Sequence, residues 1–278
     1  MSKGRHIILF IKIFLSLIWF FLLGYIFLIS GCIRNFQRPV PISQESDILN
    51  KNHELIDFFD DFNDTDLNHE RWEITRKGDF RISTIDIVDV DLGAKKDYRL
   101  RLRADTINTI DDTVKYHGVR CRYKINFEMP KKISVDLDWN NQTNGCYLTA
   151  SIYICPTITT GNPQDEENWL RLEYIGVPPG ENARCAVSTK INNSIRHLYT
   201  EGWPKNRQGR FISYQNIDLF MDDKGFEIFE NGKNLYGVKS HGLHFSSGYL
   251  YLQMSSHSNY PARDIYFDNI IIQPDTEK

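Results

Sequence analysis

The sequence predicts an all-β protein, a two-sheet antiparallel sandwich that occupies residues 55–278. Short runs in which apolar and polar residues alternate recur through this region, and turn residues separate them. The region lacks the 3.6-residue periodicity of helices. Roughly a dozen such runs in about 220 residues are typical of one sandwich, because all-β domains of this size commonly fold as a single unit.

The composition of the 278-residue chain excludes several classes of protein. With 41% hydrophobic and 13% aromatic residues, the chain has the apolar content that a folded core requires, which excludes broad disorder. The formal net charge is −3, whereas nucleic-acid-binding proteins usually carry an excess of basic residues, so we expect no nucleic-acid partner. Five cysteines are an odd number, which indicates that one of them has a separate role.

An uncharged apolar run occupies residues 13–31 and follows a basic start, which predicts an N-terminal hydrophobic helix that acts as a signal or an anchor. The run ends in Ile29-Ser30-Gly31-Cys32, which resembles the lipobox of bacterial lipoproteins. The resemblance implies that residues 1–31 are a signal peptide and that Cys32 carries a lipid. The exported chain would then be anchored to the membrane of the bacterial cell envelope. An uncleaved anchor is the alternative.

Residues 32–54 contain Pro, Ser, Asn and Gln with little periodicity, which predicts a flexible tether. If Cys32 is lipidated, an even set of cysteines remains: Cys121, Cys146, Cys155 and Cys185. Disulfides persist in exported proteins, but the sequence does not select one of the three connectivities. Four buried thiols are the alternative.

Each alternating run in residues 55–278 predicts one strand. The clearest, in chain order, are Tyr98–Arg103, Ile133–Trp139, Cys146–Ile154, Trp169–Tyr174, Ile217–Met221, Phe226–Phe229, Tyr249–Met254 and Ile265–Ile272. Asn231-Gly232 favours a tight type I′ turn, since both central residues of that turn need positive φ. Segment 156–168 has no alternation and is interpreted as an inserted loop.

Both ends of the predicted domain carry further motifs. Asp60-Asp61-Phe62-Asn63 lies near its start and Tyr266-Phe267-Asp268-Asn269-Ile270 near its end. Together with the Asn231-Gly232-Lys233 turn, they resemble the concanavalin A-like lectin/glucanase superfamily, which includes laminin-G-like domains and family 16 glycoside hydrolases. The resemblance implies a jelly-roll sandwich whose first and last strands lie side by side.

Related jelly rolls often hold a structural calcium ion. The resemblance implies that Asp60, Asp61 and Asp268 are its ligands, because adjoining terminal strands would bring these hard oxygen donors together. Capping and turn roles are the alternative. No other cofactor is expected.

The enzyme hypothesis depends on the carboxylates. Family 16 hydrolases use a strand motif close to Glu-x-Asp-x-x-Glu, which this chain lacks, and the nearest imitation is Asp136-Leu137-Asp138. Arg99, Arg101 and Arg103 offer aspartates cross-strand partners, so a ladder of ion pairs explains the acidic strands without catalysis. A divergent glycoside hydrolase that uses Asp136 and Asp138 stays open as an alternative.

Two predicted strands carry an aromatic and polar face that suits a glycan. Alternation places Trp169, Arg171 and Glu173 on one strand face, and it places Tyr249, Tyr251 and Gln253 on another. These six residues are the candidate ligand-binding site, because aromatic rings stack on sugar rings while polar groups bind the hydroxyls. A ladder of surface aromatic residues with good β propensity is the alternative.

The leading functional hypothesis is an envelope-anchored, non-catalytic lipoprotein that binds a carbohydrate or another surface ligand. Besides the divergent hydrolase, a structural or adhesive domain that binds protein is an alternative. The oligomeric state is left open.

Overall fold

The computed structural model describes residues 56–90, 96–107, 114–139, 148–175, 184–202, 214–239, 243–257 and 262–276. These residues belong to one compact unit, Leu55–Lys278. The predicted signal peptide 1–31, the tether 32–54 and the lipidation residue Cys32 lie outside the described residues. Within the described residues, no helix is long and apolar enough to cross a membrane.

The described residues form strands joined by turns, with one short 3₁₀ helix at Pro163–Asp165. The strands are β1 (Phe58–Asp60), β2 (Trp72–Lys77), β3 (Ile82–Asp89), β4 (Tyr98–Asp105), β5 (Lys115–Asn126), β6 (Lys131–Asp138), β7 (Leu148–Cys155), β8 (Trp169–Ile175), β9 (Arg184–Ile191), β10 (Ser194–Gly202), β11 (Tyr214–Met221), β12 (Phe226–Glu230), β13 (Lys233–Val238), β14 (Ser247–Ser256) and β15 (Arg263–Pro274).

The strands pair antiparallel in two sheets, which confirms the predicted all-β, two-sheet antiparallel sandwich. Sheet A has the order β13-β12-β11-β6-β15-β4-β3, and β1 pairs with β15 beside this path. Sheet B has the order β10-β9-β8-β7-β14-β5-β2. The first and last strands lie side by side, with Phe58 opposite Ile272 and Asp60 opposite Ile270.

The hydrophobic core is built from one face of each sheet. On β14, Leu250, Leu252 and Met254 are fully buried in this core, while the residues between them face outward. Trp72 is also fully buried and packs against Phe58 and Phe62. The outer faces of the two sheets are therefore separate surfaces, and each has its own polar chemistry.

Strands β11, β12 and β13 form the consecutive hairpins that the sequence predicts. Asn231 and Gly232 between β12 and β13 have φ values of 50° and 75°, the positive angles that a type I′ turn needs.

The cysteines of the described part are buried. Cys121 and Cys155 are free thiols, and Cys185 is buried as well, whereas Cys146 lies outside the described residues. Burial raises the pKa of Cys121 to about 12 and that of Cys155 well above its usual value. The structure therefore shows no disulfide at Cys121 or Cys155, and a pairing of Cys146 with Cys185 stays a prediction.

Candidate functional site

The outer face of sheet B presents three transverse rows of side chains, because the strand registers align every second residue across it. The first row contains Lys124, Tyr249, Cys155, Trp169 and Lys190. The second row contains Glu73, Arg120, Tyr251, Tyr153, Arg171 and Ser188. The third row contains Thr75, Gly118, Gln253, Ser151, Glu173 and Ala186. All six residues of the candidate ligand site therefore lie on one face of one sheet.

In the second row, two arginines lie on either side of two adjacent tyrosines. The Arg171 guanidinium lies 4.9 Å from the centre of the Trp169 ring and 5.9 Å from that of Tyr153. Arg120 lies 5.4 Å from the ring centre of Tyr249. Each arginine contacts one carboxylate: Arg171 Nη2 is 3.0 Å from Glu173, and Arg120 Nη2 donates to Glu73.

Unpartnered polar atoms are concentrated on this face. Seven buried side-chain N and O atoms of the three rows lack a hydrogen-bond partner in the described part of the chain. They are Trp169 Nε1, Tyr153 Oη, Tyr251 Oη, Arg171 Nε, Arg120 Nε, Gln253 Oε1 and Thr75 Oγ1. Because buried polar atoms are normally paired, such a concentration calls for a functional explanation, and a bound polar ligand provides one.

The aromatic residues of the three rows are shielded from solvent. Tyr153, Trp169, Tyr251 and Cys155 form a buried cluster separate from the main core, and Tyr249 packs against it half-buried. Trp169 is only 1% exposed and Tyr251 is fully buried. Burial raises the pKa of the Tyr153 and Tyr251 hydroxyls above their ordinary value. The face is therefore not the ladder of surface aromatic residues that the sequence left as an alternative.

Segment 156–168, hereafter the covering segment, lies across this face. Gln253 donates to Asn162 Oδ1 over 3.0 Å. Lys190 on β9 donates to the Gln164 carbonyl over 3.2 Å, and Lys77 on β2 contacts Asp165 at 2.7 Å. Strands β9 and β2 are five positions apart in sheet B, or roughly 24 Å at the usual strand spacing. Because adjacent residues of the 3₁₀ helix reach both strands, the helix lies over the middle of the sheet.

The covering segment has an internal scaffold around Glu166, which is fully buried. Its Oε2 accepts hydrogen bonds from Thr157 and Thr159, and its Oε1 accepts from the backbone N and hydroxyl of Thr160. Burial opposes ionisation of this carboxyl, but the hydrogen bonds outweigh burial and lower the pKa of Glu166 below its usual value. The segment is thus preorganised around a carboxylate.

A second polar cluster lies on the outer face of sheet A and contains the candidate hydrolase residues. Asp136 on β6 accepts hydrogen bonds from Tyr214, Asn216 and Asn269, the last two at 2.9 Å. Asp268 on β15 is its cross-strand neighbour. Burial raises the pKa of Asp268 to about 8. Asp136 and Asp138 are therefore on the opposite side of the sandwich from Trp169 and Tyr251.

The predicted charge ladder is present in part on sheet A. Arg101 forms two hydrogen bonds with Asp86, at 2.9 and 2.6 Å, and Arg99 lies 3.5 Å from Asp138. Arg103 instead pairs with Asp264 on β15.

The three candidate calcium ligands occupy different settings. Both oxygens of Asp60 accept hydrogen bonds, Oδ1 from the Phe62 backbone N and Oδ2 from Trp72 Nε1. Asp61 accepts from Asn63, and Asp268 belongs to the Asp136 cluster. Within the described residues, no group of three or more His, Cys, Asp or Glu side chains is arranged to hold a metal ion. Calcium binding stays a prediction.

Sequence reasoning missed several residues of the outer face of sheet B, among them Tyr153, Ser151 and Arg120. The signal for β7 was available, because Leu148, Ala150 and Ile152 face the core and the residues between them must face outward. Arg120 and its neighbour Arg122 both contact Glu73 on β2.

Comparisons with known proteins show the fold. No family model and no curated protein matches the chain. A variant of LamA from Zobellia galactanivorans, solved with laminaritriose and laminaritetraose, is 14% identical over 79% of this chain and 98% of its own, with a TM-score of 0.53.

Two further structures are similar at comparable identity. The catalytic domain of an endo-1,3-β-glucanase (laminarinase) from Thermotoga petrophila is 11% identical over 80% of this chain and 98% of its own, with a TM-score of 0.52. The T. cruzi calreticulin globular domain is 14% identical over 80% of this chain and 89% of its own, also with a TM-score of 0.52. The chain thus has the concanavalin A-like jelly-roll fold, and at these identities the likeness concerns the fold alone.

Proposed function

We propose that this protein is an envelope-anchored, non-catalytic lipoprotein that binds a glycan on the outer face of sheet B. The observation that carries the proposal is the concentration of unpartnered polar atoms among the rings of the three rows. Because the covering segment lies over these rings, the glycan takes its place when it binds. The rings then provide apolar contact for a sugar, and the unpartnered N–H, O–H and C=O groups are complementary to its hydroxyls. A structure similar in fold was solved with laminari-oligosaccharides, which agrees with this use of the fold.

The position of the carboxylates supports binding rather than hydrolysis at this face. Glycosidases place two carboxyl groups about 5–5.5 Å apart for a retaining mechanism or about 6.5–9.5 Å apart for an inverting one. The two carboxylates in the rows are Glu73 on β2 and Glu173 on β8, four strand positions apart. That separation is roughly 19 Å along the sheet, and each carboxylate already contacts an arginine.

Glycan binding is tested by glycan-array screening followed by calorimetry on the oligosaccharides that bind. Tyr251→Phe removes an unpartnered hydroxyl without leaving a cavity, and Tyr249→Ala removes a half-buried ring at the edge of the site. We expect the loss of the ring to weaken binding about tenfold, which is ~1.4 kcal/mol. Tyr266→Ala on sheet A is the matched control and should bind normally. Equal affinity in all three variants would place the site elsewhere.

The lipid anchor is tested separately, because it depends on Cys32 alone. Metabolic labelling with an alkyne fatty acid should label the wild-type chain, and Cys32→Ser should abolish the label. Persistent labelling of the variant would contradict attachment at this residue. One acyl chain holds a protein weakly and two or more hold it firmly, so the variant should also leave the membrane fraction unless the leader stays uncleaved.

A second candidate function, a divergent hydrolase, is favoured by one observation on sheet A. Burial raises the pKa of Asp268 to about 8, so this carboxyl is protonated at neutral pH beside Asp136, as a general acid would be. The test is release of reducing sugar from laminarin and mixed-linkage β-glucan. Activity that disappears in Asp136→Asn or Asp138→Asn would establish the hydrolase and overturn the non-catalytic proposal.

A further inference from the structure

The charge of the three rows differs from that of the chain as a whole. The rows contain four cationic side chains, Lys124, Arg120, Arg171 and Lys190, and two acidic ones, Glu73 and Glu173. The complete chain has a net charge of −3, so a cationic face on it is not a consequence of composition. The first row has two lysines and no carboxylate.

The two arginines retain donor capacity. A guanidinium has five N–H donors, and each of these two uses a terminal nitrogen to contact its glutamate. Each also lies against a tyrosine hydroxyl, Arg171 against Tyr153 and Arg120 against Tyr251. In both residues Nε is buried and has no hydrogen-bond partner. The planar fork of a guanidinium matches a carboxylate or a sulfate through two parallel hydrogen bonds, a geometry that a sugar hydroxyl cannot reproduce.

The covering segment supplies the second, independent observation. Its sequence Asn162-Pro-Gln-Asp-Glu-Glu-Asn168 contains three acidic residues and no basic one. Asp165 binds Lys77, and the buried Glu166 lies close enough to Tyr251 and Cys155 to raise the pKa of both groups, although burial raises them more. The part of the chain that lies on the cationic face is thus itself anionic.

From these observations we infer that the glycan bound on the outer face of sheet B is anionic, with carboxylate or sulfate groups that pair with Arg171 and with Arg120 and replace the acidic covering segment. The inference rests on the proposed function, because it concerns the same face. Uronic acids and sulfated sugars share the anionic group that the guanidinium recognises. Trp169, Tyr153 and Tyr249 bind the sugar rings beside it.

The experiment compares matched oligosaccharides by calorimetry on the full chain at two salt concentrations. The probes are oligogalacturonate, its neutral methyl ester, a sulfated carrageenan oligosaccharide and a laminari-oligosaccharide. We expect an anionic probe to bind at least tenfold more tightly than the neutral probes, and we expect added salt to weaken that binding. The carboxylate and sulfate probes show which group the site prefers.

Three variants locate the contact. Arg171→Gln should weaken binding of the anionic probe at least tenfold. Lys124→Gln should weaken it severalfold, and this exposed residue can be changed without disturbing the buried cluster. Arg101→Gln removes the same charge from sheet A and should leave affinity within twofold. Equal losses in Arg171→Gln and Arg101→Gln would mean that only the overall charge matters, which would overturn the inference.

The failure of the inference and that of the proposed function give different results. If the methyl ester or the laminari-oligosaccharide binds as tightly as the anionic probes, the anionic inference is wrong while glycan binding stands. If no oligosaccharide on the array or in calorimetry binds, the proposed function fails and the inference fails with it.

Discussion

Asp268→Asn should make the protein more stable at neutral pH, although Asp268 is buried and hydrogen-bonded. The carboxyl is 4% exposed and lies among Asp136, Asp97, Arg99 and Tyr214. In the unfolded chain it ionises near its usual pKa of 3.8, whereas in the folded chain burial raises its pKa to about 8. Folding therefore takes up a proton between these pH values.

The size of the effect follows from this difference. Each pH unit between about 4 and 8 lowers the wild-type free energy of unfolding by up to ~1.4 kcal/mol through this group. At pH 7 the cost approaches about 4 kcal/mol as an upper limit, because the interval from 3.8 covers about three units. An asparagine has no proton to take up, and its Oδ1 can still accept from the Asn269 backbone N, as Asp268 does over 2.8 Å.

Urea unfolding at pH 4.5, 5.5, 6.5 and 7.5 measures this prediction. The stability gain of Asp268→Asn over wild type should be small at pH 4.5 and should grow with pH. Asp264→Asn is the control, since it removes a carboxylate from the same strand but breaks the ion pair with Arg103, so it should not stabilise. A variant that is less stable than wild type at every pH, or a gain that does not grow with pH, would refute the reasoning.

Three further predictions concern the strands and the covering segment. Burial lowers the pKa of His117 to about 3, so the wild-type free energy of unfolding falls by up to ~1.4 kcal/mol per pH unit as pH falls below about 6.5. In urea titrations, His117→Gln should make the free energy of unfolding depend less on pH in this range. The same pH dependence in wild type and variant would contradict this. Gly118→Ala should lower the free energy of unfolding by more than ~2 kcal/mol in thermal or urea unfolding, because the new Cβ would lie 2.1 Å from the Leu252 carbonyl oxygen. Wild-type stability in this variant would show that β5 and β14 can separate there. Asp165→Ala should speed hydrogen exchange in segment 156–168 by removing the contact with Lys77, and unchanged protection would mean that the other contacts suffice.

The strand face on which each residue of the site lies could be predicted from the alternation along single strands. Alternation correctly placed Trp169, Arg171 and Glu173 on one face of β8, because successive side chains of a strand must point to opposite sides. The same rule applied to β7 would have added Tyr153. Local alternation contains no information about which strand lies next to which, so the proximity of Tyr251 to Tyr153 and Arg120 could not be predicted.

The acidic residues also differ in whether their neighbours could be predicted from the sequence. Asp86 on β3 pairs with Arg101 on the next strand, β4, and such a cross-strand pair is what alternating runs close together in the sequence favour. Asp136 and Asp268 are far apart in sequence and meet only because β6 and β15 are neighbours in sheet A. Their burial, and with it the raised pKa of Asp268, depends on that pairing.

The order of apolar, polar and turn residues was sufficient to establish an all-β sandwich, its hairpins and the aromatic and polar strands, because these features depend on neighbours along the chain. Only the tertiary structure brought those strands onto one face, added two arginines to them and laid an acidic segment over them. These outcomes depend on the order and register of strands from distant parts of the chain, which periodicity along one strand does not encode.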